Sequence, residues 1–165
     1  MPLRKIGVIS DTHIPRFPAI PEMAWKHFAD VELIIHAGDL SLLSVIQELE
    51  TIAPVVAVQG NVEREEVILQ LPIKREIVMG NIRIGIVHIL GETQTRVQTA
   101  RREFPGARVV IFGHSHMPYN QVHNGQLLFN PGSATDRRHQ PTCSIGKLTI
   151  DEEQDQVHAE IIRLV

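Results

Sequence analysis

Short apolar runs mark the first half of the chain and predict the strands of a parallel sheet. Segments with the apolar spacing of amphipathic helices separate these runs. The predicted strands are residues 5–10, 31–36 and 55–58, and the predicted helices are residues 22–29, 42–51 and 63–71. This alternation of strand and helix is typical of a parallel sheet in the α/β class.

The second half of the chain has a different pattern, dominated by hairpin signals. Gly80-Asn81 and Asn124-Gly125 are dipeptides that favour two-residue turns. They join predicted strands 76–79 with 82–88 and 119–123 with 126–129. A predicted helix at 93–104, a strand at 108–112, and closing antiparallel strands at 142–150 and 157–165 complete the chain. We expect a single α/β domain, residues 1–165, in which two sheets pack together with helices outside.

Composition and charge exclude several classes of protein. Hydrophobic residues make up 43% of the 165 residues, and the net charge is −3, so no basic surface for nucleic acid is expected. The lone cysteine, Cys143, excludes an internal disulfide and a cysteine-based zinc site. No apolar stretch is long enough to span a membrane. Residues 1–5 lead directly into a strand and do not form a signal peptide, so a cytoplasmic protein is predicted, with its oligomeric state open.

The strongest chemical signal is a pair of histidines after the buried run 109–113. In an extended chain, residues two apart point the same way, so His114 and His116 should project together while Ser115 points elsewhere. Such a pair suits a metal ion. Taken alone, it is equally compatible with two loop histidines that have no partner.

Other predicted strand ends carry the same kinds of groups. The set is Asp11, His13, Asp39, Asn61, His88, His114 and His116. Each has an ordinary explanation, because Asp and Asn favour turns and a single histidine is often structural. However, the carboxyl ends of parallel strands meet in one crevice, and this set is too large for one tetrahedral zinc. Two ions are predicted, which a carboxylate such as Asp39 can bridge. The mixed ligands favour Mn, Fe, Zn, Co or Ni over Ca or Mg.

In their order along the chain, these residues resemble the motifs of the calcineurin-like metallophosphoesterases. The motifs are Asp11-x-His13, Gly38-Asp39, Gly60-Asn61, His88, Gly113-His114-Ser115-His116 and Asn130-Pro131-Gly132-Ser133. The short chain and the last motif resemble the small YfcE-like phosphodiesterase branch. The resemblance implies a four-layer α/β/β/α sandwich of two mixed sheets. It also implies one metal on Asp11, His13 and His116, another on Asn61, His88 and His114, with Asp39 bridging and manganese the first choice.

The resemblance further implies a phosphodiesterase that acts on small phosphate esters by in-line attack of a metal-bridging hydroxide. Asn61 and His88 would offset charge on the phosphate, and Asn61 would bind the substrate. Arg137 and Arg138 follow the last motif, and we expect one of them, with Arg137 the first choice, to bind the substrate phosphate. The alternative is a non-catalytic scaffold for protein partners, like the retromer subunit of this family, whose ligands are altered. Here every ligand position holds a suitable residue, which favours the enzyme. A nuclease is disfavoured by the missing basic surface.

Four residues depart from the family pattern. Ile89 and Leu90 follow His88, where a glycine is usual. Val62 stands where many relatives have a histidine thought to protonate the leaving group, and Leu42 stands where those relatives have the aspartate that orients it. We therefore expect the general acid to be absent, with Glu63 or a metal-bound water as the possible substitutes. His36, just before Gly38-Asp39, is expected to support the site and not to bind metal.

Overall fold

The first of two mixed sheets is formed by strands from both ends of the chain. In the computed structural model, which describes residues 3–165, its order is β10-β9-β1-β2-β3. The strands are β1 (Arg4–Ile9), β2 (Leu33–His36), β3 (Val55–Ala57), β9 (Cys143–Asp151) and β10 (Gln156–Leu164). Strands β1, β2 and β3 are parallel, and β9 runs antiparallel to β1 and β10. The carboxyl ends of β1–β3 therefore lie at one edge.

The second sheet contains the two predicted hairpins and has the order β4-β5-β6-β8-β7. Its strands are β4 (Lys74–Met79), β5 (Ile82–Val87), β6 (Val109–Ile111), β7 (Tyr119–His123) and β8 (Gln126–Asn130). Strands β5, β6 and β8 are parallel, while β4 and β7 are antiparallel to their hairpin partners. His88 and the histidines after β6 thus follow neighbouring parallel strands.

Side chains that alternate along the strands of both sheets point either into the core between the sheets or toward the outer helices. Val8 and Ile35 of the first sheet and Ile84 and Ile111 of the second lie in one central core, between the sheets. The outer face of the first sheet packs on α1 (Glu22–His27), α2 (Ser44–Leu49) and α3 (Glu65–Gln70), and that of the second packs on α4 (Arg96–Glu103). The predicted sandwich of two mixed sheets with outer helices is confirmed.

The predicted helices and several predicted strands are longer than the observed elements. At the starts of β2, α3 and α4, a turn or an extended residue takes the place of the predicted first residues. Val31 donates to the carbonyl of Phe28 (3.3 Å), so β2 starts only at Leu33. Thr95 donates to the carbonyl of Glu92 (3.0 Å) in a turn before α4. Arg64 is extended, with ψ of 159°, so α3 begins one residue later. Asn130, predicted in a loop, is the last residue of β8.

No helix within residues 3–165 combines the length and apolar character needed to cross a bilayer. The interpretation that residues 1–5 are not a signal peptide partly concerns Met1 and Pro2, which lie outside the described residues.

Candidate metal centre

The predicted ligands come from strand ends of both sheets and meet in two groups. The ligand atoms in each group lie within 4.8 Å of one another. One group is Asp11, His13 and His116, and the other is Asp39, His88 and His114. In the first, Nε2 of His116 lies 3.3 Å from Nε2 of His13 and 3.4 Å from Oδ1 of Asp11.

Asp39 lies between the two groups. Its Oδ2 is 3.7 Å from Nε2 of His13 in one group and 3.1 Å from Nε2 of His88 in the other. Its Oδ1 accepts a hydrogen bond from the Val62 amide (2.8 Å), which fixes the carboxylate plane. One oxygen of Asp39 therefore faces a histidine from each sheet.

Asn61 and Arg137, the remaining predicted site residues, are exposed. Oδ1 of Asn61 lies 3.0 Å from Nδ1 of His114, which places the amide beside the second group. Arg137 instead donates to the carbonyl of Gln140 (2.8 Å) within its own loop. The neighbouring Arg138 is the arginine whose charge helps to lower the pKa of His114, after the larger effect of burial.

The buried carboxylates are held in their ionised form by the surrounding imidazoles. Burial opposes ionisation of Asp39, but contact with His88 and its charge prevail, so the pKa falls to about 2. Burial likewise opposes ionisation of Asp11, yet His116, His88 and Ser10 hold its pKa below the ordinary value. For His88, the carboxylates outweigh burial and raise the pKa. The ionised carboxylates of Asp11 and Asp39 therefore give the site negative charge that attracts cations.

Two buried polar atoms of the site lack hydrogen-bond partners among residues 3–165. They are Oδ1 of Asp11 and Nε2 of His88. The Nδ1–H of His88 donates to the carbonyl of Ala37 (2.7 Å), so in the neutral ring the Nε2 lone pair faces the oxygens of Asp39 and Asp11. Lone pairs that face each other are stabilised by a cation between them. Imidazole, carboxylate and amide donors suit divalent transition metals, so the residues present fit such ions.

The backbone at the site is strained. Of the seven predicted ligands, five have a left-handed backbone: φ is 54° at Asp11, 45° at His13, 59° at Asp39, 75° at His114 and 62° at His116. Such conformations cost about 1–3 kcal/mol each and persist where surrounding structure imposes them. The expectation that His114 and His116 project together from an extended strand end is wrong. The chain turns after Gly113, and the two imidazoles enter different groups.

Glu63 is a half-buried residue that connects two loops of the site, a role that the sequence did not reveal. Its carboxylate accepts hydrogen bonds from the amides of Asp39 (3.0 Å), Ser41 (2.6 Å) and Gly60 (2.7 Å). Burial raises its pKa despite these bonds. Because both oxygens are engaged, Glu63 ties the loops after β2 and β3 together and is poorly placed to protonate a leaving group.

The Asn-Pro-Gly-Ser motif and the residues that follow it, up to Asp136, hold the first group in place through hydrogen bonds. Ser133 donates to the carbonyl of Asp11 (2.8 Å), and Thr135 donates to that of Thr12 (2.8 Å). The carbonyl of Asp136 accepts from Nδ1 of His116 (2.7 Å), which leaves Nε2 free to face Asp11. This loop therefore orients ligands without contributing one.

His36 has the supporting position expected from the sequence. The amide of Gly38 donates to its Nδ1 (3.1 Å), so Nε2 carries the proton and donates to Thr12 (3.0 Å). Burial, which outweighs the nearby carboxylates, lowers the pKa of His36 to about 4. The ring is therefore neutral and links the loops after β1 and β2.

Gly60 is required because the Asp39 carboxylate lies against it. A Cβ at this position would stand 2.1 Å from Oδ1 of Asp39. Gly60→Ala should displace the carboxylate and weaken metal binding by about 10–100-fold, the usual cost of disturbing groups that orient a ligand. Metal titration of the Gly60→Ala variant measures this loss. Gly106→Ala is the control, because a Cβ at Gly106 meets nothing closer than 3.4 Å. Equal affinity in both variants would contradict this prediction.

Comparison with known proteins agrees with this arrangement. The family model described as the calcineurin-like phosphoesterase superfamily domain matches residues 5–153. The chain is 44% identical over 164 residues to a probable metallophosphoesterase of Methanothermobacter thermautotrophicus, covering 96% of this chain and 91% of that protein. It is 32% identical over 143 residues to a phosphodiesterase of Methanocaldococcus jannaschii, covering 78% of this chain and 82% of that protein. The chain belongs to the calcineurin-like phosphoesterase superfamily.

A solved structure of another protein has the same fold. The zinc complex of Vps29 from Entamoeba histolytica superimposes with a TM-score of 0.77 at 24% identity, over 96% of this chain and 98% of that one. Identity at this level concerns the fold alone. It leaves both the enzyme and the non-catalytic scaffold open as functions.

Proposed function

We propose that this protein is a dinuclear metal-dependent phosphoesterase that hydrolyses small phosphodiesters. The position of Asp39 is the observation that supports this most directly, since one carboxylate oxygen faces an imidazole of each group. The ligand assignment is that of the family motifs: Asp11, His13 and His116 for one ion, Asn61, His88 and His114 for the other, and Asp39 for both. Manganese is the first metal to test, followed by Fe, Zn, Ni and Co.

Two divalent ions, when bound, would supply Lewis acidity toward phosphate oxygens and a nucleophile derived from water. The chain itself orients the groups. His88 is only 2% exposed and its Nδ1–H is held by the Ala37 carbonyl, which supports a role as a metal ligand over direct contact with a phosphate. Asn61 is exposed beside His114, where its amide nitrogen can donate to a phosphate oxygen. Arg137 is the weaker substrate-binding candidate, because its guanidinium is already engaged by the Gln140 carbonyl.

The function is tested with metal-depleted protein that is resupplied with one metal at a time. Aryl phosphodiesters, aryl phosphomonoesters and cyclic nucleotides form the substrate panel. We expect metal-dependent turnover, fastest on the diesters. Stoichiometric metal uptake without turnover of any substrate would favour the non-catalytic scaffold that binds protein partners.

The metal content is a separate prediction. The chain should bind about two divalent ions, because the ligands form two groups joined by Asp39. Elemental analysis after dialysis against excess Mn or Zn measures the ratio. A ratio of one or none would contradict the two-metal assignment.

A further inference from the structure

A cavity of about 430 Å³ opens beside the candidate metal centre, on the side of the second group. Its wall includes His114, the exposed side chains of Ile89 and Met117, and Arg96 at the start of α4. The volume is in the range of small-molecule sites. An ester group of a substrate whose phosphate lies at His114 therefore has an adjoining space with apolar walls.

Arg96 is held in this wall by aromatic rings and not by a carboxylate. Its guanidinium carbon lies 5.0 Å from the ring centroid of Phe112 and 4.8 Å from that of Tyr119. Within residues 3–165 its Nε is buried without a hydrogen-bond partner, and the chain provides it with no ion pair. Stacking of this kind fixes the guanidinium plane and leaves its donors unused.

Within residues 3–165, no carboxylate neutralises the charge of Arg96. The acidic side chain in the same wall, Glu92, is exposed and is not paired with Arg96. Among the arginines of residues 3–165, only Arg4, Arg83 and Arg108 form ion pairs. What distinguishes Arg96 is therefore its buried, unpartnered Nε beside two aromatic rings. A fixed cation with free donors, at the edge of an apolar cavity, is the arrangement that recognises an anion on an otherwise apolar group.

We propose that this cavity binds the organic ester group of the substrate and that Arg96 selects groups which carry an anionic end. The substrate class is therefore a phosphodiester with one apolar ester arm that bears a carboxylate or a further phosphate. The apolar body of the arm contacts Ile89 and Met117, and the anion pairs with the guanidinium. This inference rests on the proposed function for the position of the phosphate, but it concerns binding and not the chemical step.

The test uses two non-hydrolysable benzyl(methyl)phosphinates, in which carbon replaces both ester oxygens and which differ only in a 4-carboxylate or a neutral 4-carboxamide on the ring. Calorimetric titration of the manganese-treated protein measures both affinities. We expect the carboxylate to bind about tenfold more tightly, as a charge-assisted hydrogen bond predicts. Arg96→Met should abolish that difference, and Arg96→Lys should keep part of it. Arg102→Met, on an exposed residue of the same helix, should leave it unchanged.

Each other outcome counts against the inference. Equal affinities in the unmodified protein, no binding of either compound, or an equal loss in the Arg102→Met variant would overturn it. Thermal unfolding of each variant separates a lost anion contact from lost packing on Phe112 and Tyr119. Failure of the proposed function is recognised separately, as binding selectivity for the carboxylate without turnover of any aryl phosphodiester.

Discussion

Asp39→Asn should abolish metal-dependent hydrolysis, with a loss of at least about a thousandfold, in the upper range for removal of one electrostatic group from an active site. The substitution preserves the shape of the side chain, and the Oδ1 that accepts from Val62 is retained. Asparagine also tolerates the left-handed φ of 59°. The change therefore removes the negative charge at Oδ2, the atom that faces His13 and His88, and leaves the fold intact.

Asn61→Ala is the comparison that makes this prediction specific to bridging. Asn61 is neutral and lies beside one group, so its loss should cost about 10–100-fold. Asp155→Asn is the matched control, because Asp155 also has a positive φ, 53°, but lies in the turn between β9 and β10. Turnover of an aryl phosphodiester at saturating metal is measured for all three. Equal and mild losses in Asp39→Asn and Asn61→Ala would show that Asp39 does not bridge.

The second large effect concerns the leaving group. Hydrolysis rates of aryl phosphodiesters should fall steeply as the leaving-group pKa rises, because we expect the site to lack a general acid. Val62 is apolar and 49% exposed, and Leu42 packs partly into the core under the helices. Glu63 is engaged by three backbone amides. The missing contribution is on the order of 10²–10⁴-fold for basic leaving groups.

A series of aryl phosphodiesters of graded leaving-group pKa measures this dependence. Val62→His alone should change it little, since Leu42 cannot orient the ring, whereas Leu42→Asp with Val62→His should flatten it. Val122→His is the control, because Val122 is an exposed valine on β7. A flat dependence in the unmodified protein would mean that an acid is already present, and the interpretation of Val62 would then be wrong.

The parts of the molecule that could be predicted from sequence are those encoded locally. A short apolar run that ends in polar residues identified β1, β2 and β6, and the strand ends located the residues that the structure brings together. Hairpin dipeptides located β4–β5 and β7–β8 correctly. The two mixed sheets followed from the family motifs together with this order of elements.

The parts that escaped prediction depend on distant backbone groups. The left-handed φ of His114 goes with a bond from its amide to Asp11, 103 residues earlier in the chain. Glu63 has an unremarkable position in the sequence, and its importance arises from the three amides that converge on it. The starts of α2, α3 and α4 were placed too early for a different reason, because local turns such as that at Glu92–Thr95 have no strong sequence signal.

The residues of the candidate metal centre come from different sheets, so the geometry of the site depends on how the two sheets pack against each other. Asp11, His13 and Asp39 follow strands of the first sheet, whereas His88, His114 and His116 follow strands of the second. Separations of 3.1–3.7 Å between Asp39 and the histidines of both sheets depend on the packing of the apolar layer between them. A ligand that binds only the docked state stabilises that state by an amount that grows with the logarithm of its affinity. Substitutions in that layer, such as Ile84→Ala, should therefore change the metal affinity although they touch none of the proposed ligands.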